Sequence, residues 1–339
     1  MKAVSSTKSP RMSEDTRSII LFFVLLGIIL VTFSLLHESF LSVANIRNMM
    51  KHVSVMALAS LGLTFVIVVG HYDMSFPWVG TLAGLTMAYM IAKGFGVLTS
   101  CAVGIASGVV WGFVNGIAVG RYKMPDVILT IGTGSTAWGL AYIYSDGTYI
   151  YDNFLTSGIM EVNDGRLLGV PYPTVMMLVC YVLAYFFLHR TSFGRRLYAT
   201  GENRVGAVFS GVRVNAYVTV AFVICAAAGG LATILIASAQ GQAGGQSGLT
   251  ILMPAYASVF LGISAFKRPS IFGTFVGAIL LSAMLNGFTL MSVPFYSMDL
   301  IMSVTLIIAL GISNENIMRI FSPRPSQAQG SNSVKGVAL

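Results

Sequence analysis

The side chains of this sequence with most to offer chemistry are three aspartates, Asp73, Asp126 and Asp299, and the histidines His37, His52, His71 and His189. Paired aspartates or a Ser/His pair held at mid-membrane would cleave peptides inside a bilayer, and two histidines one helical turn apart around a Glu would bind zinc. Neither pattern is present: the aspartates fall near the ends of apolar runs, the histidines are scattered, and no H-E-x-x-H occurs. No catalytic residue and no metal site is therefore assigned. There is also no G-x-x-x-x-G-K-[ST] loop to cradle a nucleotide's phosphates, so uphill transport by this chain would draw its energy from another subunit or an ion gradient. Cys101, Cys180 and Cys225 lie inside apolar runs, and an odd number argues against a disulfide framework. They read as small core residues.

The elements that must position these groups are hydrophobic. Of 339 residues, 55% are apolar and 9% charged, and the mean hydropathy is +0.80. This excludes a soluble enzyme. A net charge of +8 would suit nucleic acid if the basic residues clustered on one water-facing domain, but they sit in short bursts between apolar runs. Runs long enough to cross a bilayer extend over about 18–36, 52–70, 76–92, 96–119, 124–145, 172–189, 216–237, 250–265, 271–290 and 294–312. The expected class is an all-α polytopic membrane protein of about ten transmembrane helices.

Charge asymmetry tests that count, because cytoplasmic loops collect Lys and Arg. With the N-terminus inside and the spans alternating, the outer side receives only Arg47, Lys51, Lys93 and Arg166 of the 20 basic residues. Both termini are accordingly expected in the cytoplasm. The first run is about 19 residues long with no A-x-A site after it, so it reads as an anchor rather than a signal peptide. The organisation is then a cytoplasmic N-terminal tail (1–17), a transmembrane domain (18–312) with an outer loop at 146–170 and a basic inner loop at 190–215, and a tail (313–339) whose Ser/Gln/Gly/Pro composition is that of a disordered end.

Gly104, Gly108, Gly112, Gly116 and Gly120 recur every four residues and form one stripe on a helix, admitting a neighbouring backbone. The stripe marks either ordinary tight packing or a helix at a moving interface. Gly273 and Gly277 repeat the spacing in the ninth run. The fourth and ninth runs both end in Asn-Gly, at Asn115-Gly116 and Asn286-Gly287, and each is followed by a proline, Pro125 or Pro294, that opens the next run. A separation of five spans reverses orientation, which fits a 5+5 inverted-topology repeat.

Two polar interruptions stand out. From Asn203 the inner loop predicts a short helix, with Asn203 as N-cap, Val205, Val208, Phe209 and Val212 on one face, and Gly211 just past its end. Such a helix either lies on lipid headgroups, helped by Arg204 and Arg213, or docks in a groove of a cytoplasmic protein. The second interruption, GHYDMSFP at Gly70 to Pro77, places Ser75 as a cap and Pro77 in the first turn of the third run. Asp73 there is either a solvated or cap-satisfying carboxylate, or part of a discontinuous helix facing a substrate path.

Four segments together resemble one family, the membrane permeases of bacterial ABC importers for ribose, xylose, galactose and related small sugars, including the autoinducer-2 importers. They are GLTFVIVVGHYDMSFPWVGTLAG, GFVNGIAVGRYKMPDVILTIGT, the inner loop RTSFGRRLYATGENRVGAVFSGVRV, and AAAGGLATILIASAQGQAG through LNGFTLMSVPFYSMDLIMSVTLIIAL. The resemblance implies a permease subunit that pairs with a second copy or a paralogue, binds cytoplasmic ABC ATPase subunits at the inner loop, and receives cargo from a periplasmic solute-binding protein, in the bacterial inner membrane. It places Gly201, Glu202, Asn203, Ala207, Ser210 and Gly211 in the ATPase-coupling loop, and Asp73, Ser75, Thr130, Gly132, Thr133, Asn115 and Asn286 along the translocation pathway. No cofactor is expected on this chain, ATP and magnesium being held by the partner ATPase.

The sequence departs from the family at His71, where a glycine is usual, at Ser75-Phe76-Pro77, at Leu252-Met253-Pro254 and at Lys267-Arg268-Pro269. The expected function is import of a small neutral hydroxylated solute, a sugar or sugar-like compound, since few charges lie in the spans to hold an ion. The alternative is a secondary transporter driven by an ion gradient, which shares inverted repeats and broken helices. A purely structural scaffold does not account for the polar breaks and glycine faces.

Overall fold

The computed structural model describes residues 14–294 and, beyond them, 296–298, 300, 301, 303–305 and 307. In chain order the helices are α1 (Glu14–Leu36), α2 (Val43–Val68), α3 (Phe76–Ala92), α4 (Val97–Gly120), α5 (Asp126–Ser145), two single turns α6 (Phe154–Ser157) and α7 (Glu161–Asp164), α8 (Tyr172–Tyr185), α9 (Ser192–Glu202), α10 (Arg204–Phe209), α11 (Val214–Gln240), α12 (Leu252–Phe266) and α13 (Ile271–Leu290). A π turn, Phe186–Arg190, extends α8, and a 3-10 turn, Leu249–Ile251, precedes α12. The only extended pairing among the described residues beyond an isolated Ile150–Ala243 bridge is a two-residue hairpin, β1 (Arg166–Leu167) with β2 (Val170–Pro171). This is an all-α polytopic membrane protein.

Among the described residues, seven helices are long and apolar enough to cross a membrane: those within Ser18–Leu36, Val43–Val68, Val97–Gly120, Tyr172–Arg190, Val214–Gln240, Leu249–Phe266 and Ile271–Leu290. Two expected spans fall outside that set for physical reasons. α3 is apolar but only 17 residues long, and α5 has 20 residues but carries Thr130, Thr133, Ser135, Thr136 and three glycines. The tenth expected span, 294–312, lies partly outside the described residues; its described positions from 296 to 307 are helical. The tail 313–339 and most of 1–17 lie outside them altogether, as does Asp299. α2 starts nine residues before the expected 52, because Ser42 Oγ caps it by accepting from Asn45 N at 3.2 Å and its polar first turns find partners. Lys51 pairs with Asp164 at 3.0 Å and Asn45 with Asn286.

Contacts sort the connections to two ends of the bundle. At one end Lys51 meets Asp164, Asn45 meets Asn286, Asn153 donates to Ala92 O, and Ser238 donates to Ile159 O. At the other, His71 meets Asp126, Tyr198 donates to Pro269 O, and Ile271 N donates to His189. Each long helix from α2 to α13 runs from one set to the other, as an alternating bundle requires.

Burial is inverted relative to a soluble protein. α1 and α8 leave Leu21, Val31, Leu35, Val182 and Leu183 exposed, the apolar outer face expected against hydrocarbon. The centre is α2 and α11, packed on each other, with α3 and α4 on α11 and with α12 and α13 on α2. Small residues make this possible. A Cβ on Gly116 would lie 2.5 Å from Thr219 Cα, one on Gly112 2.7 Å from Phe222 O, and one on Gly120 2.9 Å from Asn215 O, all on α11. Gly104 faces Ala83 O of α3 instead, and Gly108 faces Ala226 O of α11. The stripe is therefore a packing surface over its whole length, and Gly273 and Gly277 play the same part where α13 meets α12. Hydroxyls add interhelical bonds: Thr233 Oγ1 to Gly80 O at 2.6 Å, Thr64 Oγ1 with Thr274 Oγ1 at 2.7 Å, and Tyr181 OH to Ala57 O at 2.8 Å.

Gly116→Ala is expected to destabilise the protein by about 1–3 kcal/mol through overpacking, seen as a lowered Tm in detergent. Gly132→Ala, whose Cβ would meet open space, is expected to leave Tm unchanged or slightly raised; equal losses in the two variants would contradict this account of the stripe.

Candidate functional site: a buried break joined to a basic elbow

α2 ends at Val68, and Gly70, with φ of 79°, turns the chain into the break that precedes α3. The break folds inward. Asp73 is only 1% exposed, and its Oδ1 accepts from Ser75 N at 2.8 Å and from Ser75 Oγ at 2.5 Å. Asn115 of α4 donates to Ser75 Oγ at 2.7 Å, Tyr256 of α12 donates to Asp73 O at 2.9 Å, and Met74 N donates to Thr130 Oγ1 of α5 at 3.0 Å. Asp73, Ser75, Asn115 and Thr130 are thus brought to one point by α3, α4, α5 and α12. Asp73 is cap-satisfying rather than solvated. Ser75 occupies the cap position of α3, with Pro77 in the first turn, but its hydroxyl makes no bond to the helix; its oxygen accepts from Asn115 instead of a helix N–H, and its proton is donated to the Asp73 carboxylate. Asp73 Oδ2 and Asn115 Oδ1 have no ordinary hydrogen-bond partner, and the Cys225 thiol of α11, a weak donor, lies beside the carboxylate.

The remaining pathway candidates are elsewhere. Gly132 and Thr133 lie on α5, Thr133 half-buried with its hydroxyl returned to Leu129 O at 3.1 Å, and Gly132 exposed. Ile128, Ser135, Thr136, Gly139 and Ile143 share the exposed face of α5 with Gly132, while Gly134, Ala137 and Ala141 pack inward. Asn286 sits at the opposite end of the bundle, exchanging two amide hydrogen bonds with Asn45 at 2.8 and 3.0 Å, so it and Asn115 are not brought together. At that same end a cavity of about 540 Å³ is lined by Asn48, Lys51, His52, Gln240 and Thr250 over an apolar floor of Val55, Met56 and Ile251.

The inner loop folds as an elbow of two helices. α9 was not expected: its Arg195, Arg196 and Glu202 give it a loop-like composition. The signals for it are Thr191, whose Oγ1 accepts from Gly194 N at 3.4 Å, and the spacing of the buried Gly194, Leu197 and Thr200. Gly201, at the end of α9, packs on Val68 O and the backbone of Gly70, leaving no room for a side chain between elbow and break. Tyr198 OH donates to Pro269 O at 2.8 Å, and burial pushes its pKa up to about 12, so it stays a donor. α10 is the predicted helix: Asn203 Oδ1 accepts from Gly206 N at 2.8 Å, and Gly211, with φ of 76°, follows Ser210 at its end. Ala207 is buried and anchors it, whereas Val205, Val208 and Phe209 are 66%, 56% and 87% exposed. Glu202, Asn203 and Ser210 are exposed beside them.

Arg204, in the first turn of α10, joins elbow to break. Its guanidinium lies 3.3 Å from His71 Nε2 and donates to Gly120 O of α4 at 3.2 Å. His71 Nδ1 is 3.0 Å from Asp126 Oδ2 at the start of α5, and Tyr72 N donates to the same oxygen at 2.9 Å. The only sequence signal for this group is the replacement of a glycine by His71.

The family model described as branched-chain amino acid transport system / permease component matches residues 45–310. The chain is 30% identical to the ribose import permease of Bacillus subtilis, over 85% of this chain and 90% of the relative. It is 27% identical to the D-allose transport system permease of Escherichia coli K12, over 86% and 90%. It is 26% identical to the autoinducer 2 import system permease of Escherichia coli O157:H7, over 94% of each. No solved structure matches.

Ser75→Ala removes the bridge between Asp73 and Asn115 and leaves buried polar atoms unpaired, an expected loss of about 1–3 kcal/mol. An unaltered Tm for the purified variant would show that the buried bridge contributes nothing.

Proposed function

The chain belongs to the family of transport-system permease components whose model it matches, and on that premise we propose that its cargo is a small neutral hydroxylated solute, a sugar or sugar-like compound. It is a multi-pass inner-membrane permease subunit of a binding-protein-dependent ABC importer. ATP hydrolysis sits on a separate subunit, and ATPase subunits and a solute-binding protein are its partners. Relatives named for ribose, allose and autoinducer 2 support the cargo class. So does the scarcity of unpaired charge along the bundle, where Asp73 is already engaged, Lys51 of the cavity is paired with Asp164, and the other polar groups of the cavity are amides, a hydroxyl and an imidazole.

The observation that carries the coupling is the outer face of α10. A rigid capped helix, anchored by Ala207, presents Val205, Val208 and Phe209 to water on a basic elbow, and an apolar knob of this kind fits helix-in-groove docking. We assign the ATPase contact to these side chains with Glu202, Asn203 and Ser210, while Gly201, Ala207 and Gly211 shape the elbow behind them. The polar, small-residue face of α5 around Gly132, Ser135, Thr136 and Gly139 suits close approach of a second permease copy with the pathway between them; Asp73, Ser75, Asn115 and Thr130 brace its inner end. A lipid-facing helix would have no use for that face. No cofactor is assigned to this chain.

The finer architecture is ten spans as a 5+5 inverted repeat, both termini cytoplasmic. Its support is a packing pattern preserved on moving five spans along. α4 packs on α3 and α11 as α13 packs on α12 and α2, α3 packs on α11 as α12 packs on α2, and α2 and α11 pack on each other. Among the described residues the end bearing α9 and α10 carries most of the basic side chains, which supports an inner location for it.

Phe209→Asp combined with Val208→Asp is expected to cut co-purification of the ATPase at least tenfold while leaving Tm unchanged, since both side chains are exposed. Uptake should stop on ATP depletion and ignore an uncoupler. Undiminished ATPase binding by the double variant would remove the elbow assignment, and uptake driven by an ion gradient without ATP would restore the secondary-transporter reading.

A further inference from the structure

His71 lies in the break between α2 and α3, and its ring is held at both ends. Arg204 of α10 approaches Nε2 at 3.3 Å and Asp126 of α5 approaches Nδ1 at 3.0 Å. A guanidinium has no lone pair to offer, so Nε2 must be the acceptor and the ring proton must sit on Nδ1, donated to Asp126. In the neutral imidazole these two contacts select one tautomer. The ring is also fixed sideways, with Phe222 of α11 at 6.5 Å between centroids. Asp126 is tied separately to the break by Tyr72 N at 2.9 Å, and Arg204 to α4 by Gly120 O at 3.2 Å and to the start of α11 by Asn215 Oδ1 at 3.5 Å.

We propose that His71 is a positioning residue that links the elbow helix α10 to the first turn of α5, so that movement of α10 is delivered to α5 through Arg204, the imidazole and Asp126. The link rests on the reading of α10 as the ATPase-docking helix. It gives this permease a dependence on proton concentration that a glycine at the same position would lack. Protonation of Nε2 removes the lone pair that Arg204 uses and sets two cations face to face, while the bond to Asp126 survives. The connector then opens at its elbow end only. The charged groups that face the ring are Arg204 from α10 and Asp126 from α5; α11 contributes the Phe222 ring.

The test uses the complete importer, permease with ATPase and binding protein, in proteoliposomes, with a cargo found by screening sugars and polyols on the wild type. The readout is cargo moved per ATP hydrolysed, from about pH 8 to about pH 5.5. For His71→Leu the ratio is expected to fall about tenfold throughout, with the ATPase still co-purifying. For His71→Gln, whose carboxamide offers one donor and one acceptor side by side without titrating, it is expected to stay near the wild-type value at pH 8 and to remain flat in acid where the wild type declines. A wild-type ratio in His71→Leu, or acid sensitivity undiminished in His71→Gln, overturns the connector while leaving the importer intact. A wild type that moves no sugar or polyol under ATP overturns the functional reading, and the connector with it.

Discussion

The close approach of α4 to α11 is the contact on which the rest of the bundle depends. Between helices in a bilayer there is no water to expel, so attraction must come from dispersion at short range and from hydrogen bonds that lipid cannot replace. Gly112, Gly116 and Gly120 bring two backbones to distances that a single added methyl would violate. With α11 held there, α3 is trapped between α4 and α11, and Thr233 can reach Gly80 O. The break before α3 is then pressed into the interior rather than left in a loop, which is why Asp73 is buried.

That burial shapes the half of the molecule that bears the elbow. A carboxylate removed from water must be hydrogen-bonded, and Ser75 supplies both a backbone and a side-chain donor. The same serine accepts from Asn115, so break and α4 are locked through one short polar chain. The elbow docks against this rigid point through Gly201, and its free surface is the apolar face of α10. Force applied at that face has a stiff route into the spans and little soft material to dissipate it.

Much of this was legible in the sequence, and the parts that were not share a cause. The stripe on α4, the caps of α10 and the alternating topology follow from periodicity and local residue chemistry. Local chemistry alone also made Ser75 a helix cap, because nothing in the sequence shows that the amide of Asn115, forty positions on, claims its oxygen. α2 looked shorter than it is, since Asn45 and Lys51 count against a span until their partners Asn286 and Asp164 are known. Asn286 resembled Asn115 by its neighbours, yet the two lie at opposite ends of the bundle. Three-dimensional pairing between residues more than a hundred positions apart leaves no local trace.

The paired amides of Asn45 and Asn286 have a mechanical consequence. Two carboxamides exchanging both hydrogen bonds at the edge of the hydrocarbon behave as a rivet: shear between α2 and α13 would strand two donors and two acceptors where lipid offers none. α2 and α13 are therefore pinned against sliding past each other at that end of the bundle.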